Sequence, residues 1–563
     1  MRILFLAHSF NSLSQRLWAE LEGDGHEVTL ELDVNDAVTR EAVALAKPHV
    51  VVAPFLKRRI PDDVWRGVRC LVVHPGIEGD RGPSALDWAV QEGEREWGVT
   101  VLEARAEMDA GPVWASARFP MREASKGSIY RNEVTEAALR CVREALEGIA
   151  RGGSPRAIGP ASPGVRGRAR PAMKQSDRAI DWARDDTATV LRKVRAADGM
   201  PGVRDEVFGL ACRLFDAHPA DAPGGGAAPG DVIACGGGAI LRATRDGAVW
   251  IGHLRSEETG GTATLKLPAA MVLGERLAGV PRLAADTAWN PIRYEERGSV
   301  GVLHFAFCNG AMSTAQCKSL REAVLAARER PTRVLVLAGG PDFWSNGIHL
   351  NVIEAAPQPA EASWDNIVAM DDLVLAILEA DRQVTIAALQ GNAGAGGCFL
   401  ALAADRVLAR AGVVLNPHYK SMGNLYGSEY WTYLLPRRVG PERAAAVTAG
   451  RMPVTGAQAA AAGLVDEAFG VAPADFLGSV LDRARALASD PGLPALLAAK
   501  AARRAADEAN RPLAAYREAE LARMKLNFFG FDPSYHVARH HFVHKVPKAR
   551  TPSHLARHRA PRG

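Results

Sequence analysis

Apolar and amphipathic segments alternate over the first 74 residues, and this order restricts the fold more than any other feature. The apolar runs RILFLAH, EVTLELD, HVVVAPF and CLVVHPG are typical of buried β-strands, and SLSQRLWAELEGDG and DAVTREAVALAK are typical of helices. This order predicts a parallel sheet with helices on both faces. Ligands bind such sheets beyond the carboxyl ends of the strands. His74, at the end of the fourth strand, is therefore a candidate functional residue, with a purely structural role as the alternative.

Changes of pattern divide the 563 residues further. Residues 151–172 are rich in Gly, Pro and Arg, as linkers are. Short strands between glycine-rich turns such as DAPGGGAAPG and EETGGTAT then predict a small β-barrel. From residue 290 strands and helices alternate again, and the C-terminal region is mostly helical. We predict an α/β multidomain chain with domains at 1–155, 170–285 and 290–563.

Composition restricts the partners and the compartment. The chain has 68 basic and 64 acidic residues, a net charge of +4 that does not favour nucleic-acid binding. It has no apolar run of membrane-spanning length, and its seven cysteines form no C-x-x-C pair. The loop that follows the first predicted strand, HSFNSLSQ, lacks the G-x-G-x-x-G motif of nicotinamide-binding sites. We therefore expect a cytoplasmic protein with small-molecule substrates and neither nucleic-acid nor membrane partners.

A carboxylate is a natural partner for His74. The stretch EMDAGPVWA places Asp109 in an Asp-Ala-Gly turn between two strand-like runs. A carboxylate beside an imidazole fixes its tautomer and stabilises its charged form, which suits proton transfer at an amine or a carbonyl. We predict that His74 and Asp109 are catalytic.

The same residues carry a family resemblance. VVHPGIEGDRGPSALDWAV and EMDAGPVWA resemble the signature of 10-formyltetrahydrofolate-dependent formyltransferases, the group of methionyl-tRNA formyltransferase, over about residues 1–280. The resemblance implies a Rossmann-like domain, an OB-like barrel, and pterin binding by VVAPFLKRRIP. Members also have an Asn, two residues before the His, that polarises the formyl oxygen. This chain has Val72 there, which disfavours transfer to an amine or implies a better nucleophile.

The third domain carries a second resemblance. FWSNGIHL and QGNAGAGGCFLALAADRVLA resemble the enoyl-CoA hydratase (crotonase) superfamily over about residues 295–470. The resemblance implies a spiral α/β domain in which the peptide N–H groups of Ile348 and Gly396 bind a thioester oxygen as an oxyanion hole. The two hydratase glutamates fall on Phe399 and about His418, so we do not expect water addition.

Other groups must then supply acid and base. LNPHYKSMGNLYGSEYW contains His418, Tyr419, Tyr426 and Glu429. We predict Tyr419 and Glu429 as the catalytic pair of this domain, with a structural role for both as the alternative.

The fusion of these two halves resembles the HypX/HoxX hydrogenase maturation factors over nearly the whole chain. The resemblance implies formyl transfer from 10-formyltetrahydrofolate to coenzyme A (CoA), followed by loss of CO from formyl-CoA. That CO is the ligand of the [NiFe]-hydrogenase centre, with maturation proteins or the hydrogenase large subunit as partners. It also implies that Gln15, Arg131 and Asn309 contact folate or CoA.

Two other functions remain open. One is a formyltransferase acting on a small amine, with the crotonase-like half as a regulator. The other is a non-catalytic maturation scaffold that binds CoA and folate.

The C-terminal tail is strongly basic. From Tyr535 onward it has seven Lys or Arg, six His and no acidic residue. It is interpreted as a solvated surface, with phosphate or metal binding as alternatives; because its histidine spacing fits no zinc motif, we predict no metal site.

Overall fold

The computed structural model describes residues 1–158, 162, 164–220, 226–257, 265–284 and 288–560. They form two compact units. Unit 1 comprises Met1–Trp289 and the residues from Lys548 onward, and unit 2 comprises Asn290–Pro547. No helix in these ranges combines the length and the apolar character needed to cross a membrane.

The N-terminal sheet of unit 1 has the strand order β2-β1-β3-β4-β5-β6. Its strands are β1 (Arg2–Ala7), β2 (Glu27–Leu32), β3 (Val50–Ala53), β4 (Cys70–His74), β5 (Glu96–Glu103) and β6 (Val113–Pro120). Strands β1 to β4 pair in parallel, as predicted. The pairs β4–β5 and β5–β6 are antiparallel. For β5–β6 this follows from a connection that is too short for a crossover.

Helices cover this sheet and bury its apolar side chains. They are α1 (Ser12–Gly23), α2 (Asp36–Ala46), α3 (Asp62–Gly67), α4 (Ala85–Glu92), α5 (Lys126–Ile129) and α6 (Thr135–Ala150), with a π-helical turn at Tyr130–Val134. Asn11 caps α1 by accepting from Ser14 N. Leu4, Ala42 and Val51 are fully buried in one core cluster, which fixes β4 and places His74 at the carboxyl edge.

The second sheet of unit 1 is antiparallel, with the order β7-β8-β11-β10-β9 and β12 paired to β11. The strands are β7 (Val203–Val207), β8 (Leu210–Ala220), β9 (Val232–Gly236), β10 (Ala239–Ala243), β11 (Ala248–Ser256) and β12 (Leu267–Pro268). The helices are α7 (Gln175–Arg178), α8 (Thr187–Ala197) and α9 (Ala269–Leu273). The predicted turn EETGGTAT lies outside the described residues beyond Glu257, as does the first half of DAPGGGAAPG.

Unit 2 contains two sheets, ordered β13-β14-β15-β17-β19-β22 and β16-β18-β20-β21. The strands are β13 (Ile292–Arg297), β14 (Val300–Phe305), β15 (Val334–Ala338), β16 (Phe343–Ser345), β17 (Val384–Leu389), β18 (Asn392–Gly394), β19 (Arg406–Arg410), β20 (Val414–Asn416), β21 (Val454–Thr455) and β22 (Glu467–Phe469). The short second sheet positions the candidate oxyanion hole, because β16 and β18 end just before its two loops.

The helices of unit 2 surround these sheets. They are α10 (Thr314–Arg328), α11 (Leu350–Ala355), α12 (Pro359–Leu378), α13 (Gly396–Leu402), α14 (Trp431–Val439), α15 (Pro441–Gly450), α16 (Gly456–Ala461), α17 (Pro473–Ser489), α18 (Leu493–Asn510), α19 (Leu513–Phe529) and α20 (Ser534–Val543). Helix α10 begins where Ser313 and Gln316 form a capping box.

The end of the tail departs from the predicted third domain. That domain was expected to run to the end of the chain, whereas the residues from Lys548 onward pack with unit 1. There His558 Nε2 and Arg559 Nε lie 3.0 and 2.7 Å from Glu31 Oε2. Burial alone would raise the pKa of Glu31, but hydrogen bonds from His558, Thr551 and Arg559 outweigh it and hold that pKa below its ordinary value. The buried carboxylate explains why a basic tail packs here.

Candidate active sites

The structure brings His74 and Asp109 together at the edge of the first sheet. The imidazole is buried, and its Nδ1 lies 3.7 Å from Asp109 Oδ1, too far for a direct hydrogen bond. Asp109 sits in the turn between β5 and β6 with φ of 56°. Its other carboxylate oxygen accepts from the peptide N–H of Gly82 at 3.2 Å, which fixes its orientation.

A second carboxylate, missed from the sequence, lies closer to the imidazole. Asp80 Oδ1 is 3.0 Å from His74 Nε2, and its side chain is fully buried. A carboxylate accepts the hydrogen bond, so the pair holds the His74 proton on Nε2 and leaves Nδ1 as an acceptor on the Asp109 side. Gly76 permits this contact, because a Cβ there would lie 2.4 Å from His74 Nε2.

A cavity of about 720 Å³ opens beside this pair. Its lining includes His74, Asp109, Arg131 and the segment Pro54–Ile60, which belongs to the predicted pterin-binding loop. Val72, which replaces the formyltransferase Asn, also lines it. The volume is that of a site for a ligand of drug or cofactor size.

Gln15 and Arg131, both predicted to contact folate or CoA, lie in different surroundings. Gln15 lies on α1, and its side-chain amide donates to the Phe10 carbonyl at 2.9 Å. Arg131 lies in the π-helical turn, at the cavity wall. Of these two predicted contacts, Arg131 is therefore the one that the geometry places at the cavity.

In unit 2, the two predicted oxyanion loops meet. Ser345 Oγ accepts from Gly347 N–H at 3.0 Å and shapes the turn before Ile348. Gly347 has φ of 79°, and a Cβ on it would lie 3.4 Å from the peptide nitrogen of Gly396. Asn309, also with a left-handed backbone, joins this edge because its carbonyl accepts from Asn346 Nδ2 at 2.8 Å.

Tyr419 and Glu429 lie directly against this glycine. A Cβ built on Gly396 would lie 2.1 Å from Glu429 Oε1, so only glycine leaves room for the carboxyl group. Tyr419 Oη lies 2.5 Å from Glu429 Oε2 and 2.9 Å from the Ser428 carbonyl oxygen. Both side chains are buried. The arrangement is a hydrogen-bonded phenol–carboxyl pair beside a candidate oxyanion hole.

Asp371, on α12, was not predicted. Its Oδ1 accepts from Ser428 Oγ at 2.5 Å and from Glu429 N–H at 2.8 Å, and its side chain is inaccessible to solvent. Burial, and then the nearby charge of Asp371, raise the pKa of Glu429 well above its ordinary value. Burial and the Glu429 charge likewise raise the pKa of Tyr419, so the phenol keeps its proton. Two adjacent carboxylates in the apolar run AMDDLVLA were the only sequence signal for Asp371.

The hydratase glutamate positions hold other groups. Phe399 is fully buried and stacks on Tyr419, with ring centroids 5.3 Å apart and planes inclined by 16°. His418 is also buried. A phenyl ring can neither donate nor accept a proton, so the residue at the first position cannot activate water.

Three families match successive parts of the chain. They are formyl transferase over residues 26–146, the formyl transferase C-terminal domain over 172–262, and enoyl-CoA hydratase/isomerase over 297–534. Methionyl-tRNA formyltransferase from Delftia acidovorans is 29% identical over 220 residues, covering 38% of this chain and 65% of that protein.

Other relatives match over the full length. Hydrogenase maturation factor HoxX from Bradyrhizobium diazoefficiens is 57% identical over 561 residues, covering 99% of this chain and 97% of that protein. The crystal structure of HypX from Aquifex aeolicus in complex with tetrahydrofolic acid is 48% identical, with a TM-score of 0.95 over 100% of this chain and 99% of that one. The chain therefore belongs to the HypX/HoxX family of hydrogenase maturation factors, which join a formyltransferase part to an enoyl-CoA hydratase-like part.

Proposed function

We propose that the protein makes carbon monoxide in two steps for the maturation of a [NiFe]-hydrogenase. The first step moves the formyl group of 10-formyltetrahydrofolate to the thiol of CoA. The second splits formyl-CoA into CO and free CoA. The CO then becomes a ligand of the hydrogenase metal centre, with the large subunit or other maturation proteins as recipients.

The folate end of this proposal is supported by unit 1. The cavity is lined by the predicted pterin loop, and HypX from Aquifex aeolicus is described with tetrahydrofolic acid. Asp80 holds the His74 proton on Nε2, so Nδ1 takes the proton of the attacking thiol, and Asp109 stabilises the resulting imidazolium. Sulfur then bonds to the formyl carbon, the bond between that carbon and the folate nitrogen breaks, and the imidazolium gives its proton to that nitrogen.

The choice of a thiol as the acceptor is supported by Val72. An amine acceptor needs strong polarisation of the formyl oxygen, which the Asn of ordinary formyltransferases supplies. An isopropyl group offers no hydrogen bond. A thiolate is a stronger nucleophile than a neutral amine or alcohol, so transfer to sulfur depends less on that group.

The observation that carries the second step is the buried contact between Tyr419 and Glu429 beside Gly396. The thioester oxygen binds the peptide N–H groups of Ile348 and Gly396. Glu429, as carboxylate, removes the formyl proton; the C–S bond breaks to release CO, and Tyr419 protonates the departing sulfur. Glu429 then returns its proton to the phenolate across the 2.5 Å contact, so both residues recover their starting state.

The reaction belongs in a reducing compartment, because CoA must keep its thiol. The seven cysteines of the chain form no disulfide bond with one another, and six of them are buried. We therefore place the reaction in the cytoplasm.

The test uses the full chain with 10-formyltetrahydrofolate labelled at the formyl carbon. With CoA present, we expect labelled CO, trapped as carboxyhaemoglobin, and none when CoA is omitted. Formation of labelled gas without CoA contradicts the relay. A formylated amine as the only labelled product, independent of CoA, favours the small-amine formyltransferase instead.

A further inference from the structure

Two histidines of the tail converge on one carboxylate of unit 2. His540 Nδ1 and His544 Nε2 lie 2.9 and 3.1 Å from the same oxygen, Oε1 of Glu354. His540 lies on α20 and His544 directly after it, whereas Glu354 lies on α11. All three ligand atoms lie within 4.8 Å of one another. This convergence is invisible in the sequence, because Glu354 precedes His540 by 186 residues.

The geometry is that of a partly formed metal site. Histidines four residues apart share one face of a helix, and these two rings have centroids 4.2 Å apart. A tetrahedral zinc ion with bonds of about 2.0–2.1 Å holds its ligand atoms about 3.4 Å apart. Two of the three separations are already close to that value.

The charge of Glu354 does not require these histidines. Arg539 Nε lies 2.7 Å from Oε2, the other carboxylate oxygen, and forms a buried ion pair with it. This ion pair balances the charge of the carboxylate and fixes its orientation, so that Oε1 points to the imidazoles. Residues that hydrogen-bond to metal ligands orient those ligands in the same way. The salt bridge therefore does not require the two imidazoles that contact Oε1.

The three side chains differ in solvent exposure, so the cluster has a buried base and a side that an ion can reach. Glu354 is 9% exposed, His544 is 26% exposed and His540 is 54% exposed. The carboxylate is thus held rigidly at the base, while solvent reaches the imidazole side. An ion bound there keeps water on its remaining position.

We propose that Glu354 Oε1, His540 Nδ1 and His544 Nε2 bind a divalent transition-metal ion. Two imidazoles and one carboxylate suit Zn²⁺, Co²⁺ or Ni²⁺ and not Mg²⁺ or Ca²⁺, which prefer oxygen ligands alone. The ion links α20 to α11, the helix that begins at Leu350, two residues after Ile348.

The direct test is calorimetric titration of Zn²⁺ into the full chain after chelator treatment and dialysis. We expect one saturable site per chain, which His540→Ala and His544→Ala weaken by at least about tenfold, since even outer-shell changes cost that much. Glu354→Gln should weaken it similarly. His541→Ala is the matched control, because this neighbouring exposed histidine lies outside the cluster and its loss should leave binding unchanged.

Two further readouts separate a site from general histidine binding. Co²⁺ should give a visible ligand-field band in the wild type and His541→Ala, and none in His544→Ala. Zn²⁺ should raise the melting temperature of the same two proteins only. Absence of saturable binding in the wild type, equal binding by all variants, or equal loss in His541→Ala would each overturn the proposal.

Discussion

Tyr419 Oη lies 2.5 Å from Glu429 Oε2 in the interior of unit 2. Both groups are buried, and the glycine that begins α13 leaves room for the carboxyl group. A phenol and a carboxyl at this distance exchange a proton without solvent, which is what a thioester needs to lose CO and regain a thiol. The proposed second step rests on this pair.

Glu429→Gln should stop CO release. The amide has nearly the same shape but cannot accept the formyl proton, so we expect CO formation from supplied formyl-CoA to fall by about 10²–10⁴-fold. The rate of CO release, followed by carboxyhaemoglobin absorbance, measures this. The control is Glu442→Gln, an exposed glutamate on α15 of the same unit, which should behave as wild type.

Tyr419→Phe should separate the chemistry of the hydroxyl from its packing. The ring still stacks on Phe399, and Ser428 N–H still donates to Glu429 at 3.2 Å. We expect a loss of CO release of about 10²-fold or more. The free energy of unfolding, measured in urea, should fall by only about 1 kcal/mol, which is the net contribution of one hydrogen bond. An unchanged rate of CO release would remove Tyr419 from the mechanism.

The rate of CO release from formyl-CoA should rise with pH. The active form of Glu429 is the carboxylate, and its raised pKa moves that form toward neutral or higher pH. Asp371→Asn keeps an oxygen for Ser428 Oγ and Glu429 N–H but removes the negative charge. Because that charge raises the Glu429 pKa, its loss should move the midpoint of the pH–rate profile to lower pH. A midpoint that stays in place or moves upward contradicts this.

The same raised pKa has a consequence for stability. A carboxyl whose pKa is higher in the folded than in the unfolded chain stabilises the fold at low pH and loses that contribution as pH rises through the folded value. Glu520 is a second case, since burial raises its pKa to about 8. Between pH 6 and 9, we therefore expect Glu520→Gln to lose less stability with rising pH than the wild type in denaturant titrations. An equal slope would show that Glu520 does not titrate in this range.

Asp80→Asn should impair formyl transfer alone. The amide no longer holds the His74 proton on Nε2, so the wrong tautomer is populated, and we expect formyl-CoA formation to fall by about 10²–10⁴-fold. Release of CO from supplied formyl-CoA should be unchanged, because we propose that this step takes place in unit 2. Mass spectrometry of the CoA species distinguishes the two rates, and equal losses in both would point to a folding defect.

Short motifs with a defined geometry could be predicted from the sequence. Four parallel strands, His74 at a strand end and the two glycine loops all follow from local patterns, and the structure places them as those patterns suggest. Asp80 was missed because no spacing rule links it to His74. Asp371 was missed because a carboxylate on a helix normally faces solvent. Glu31, which contacts the end of the tail, and Glu354, which contacts two tail histidines, are both remote from the tail in sequence. Only the fold brings them to it.

In the proposed route, one carbon atom passes from folate to sulfur and then leaves as CO. The most direct measurement is a single turnover of labelled 10-formyltetrahydrofolate with CoA on the wild type and on Glu429→Gln. We predict labelled CO from the wild type and labelled formyl-CoA, without gas, on the variant. Labelled CO from the variant at the wild-type rate, or no labelled formyl-CoA on it at any time, would contradict the account.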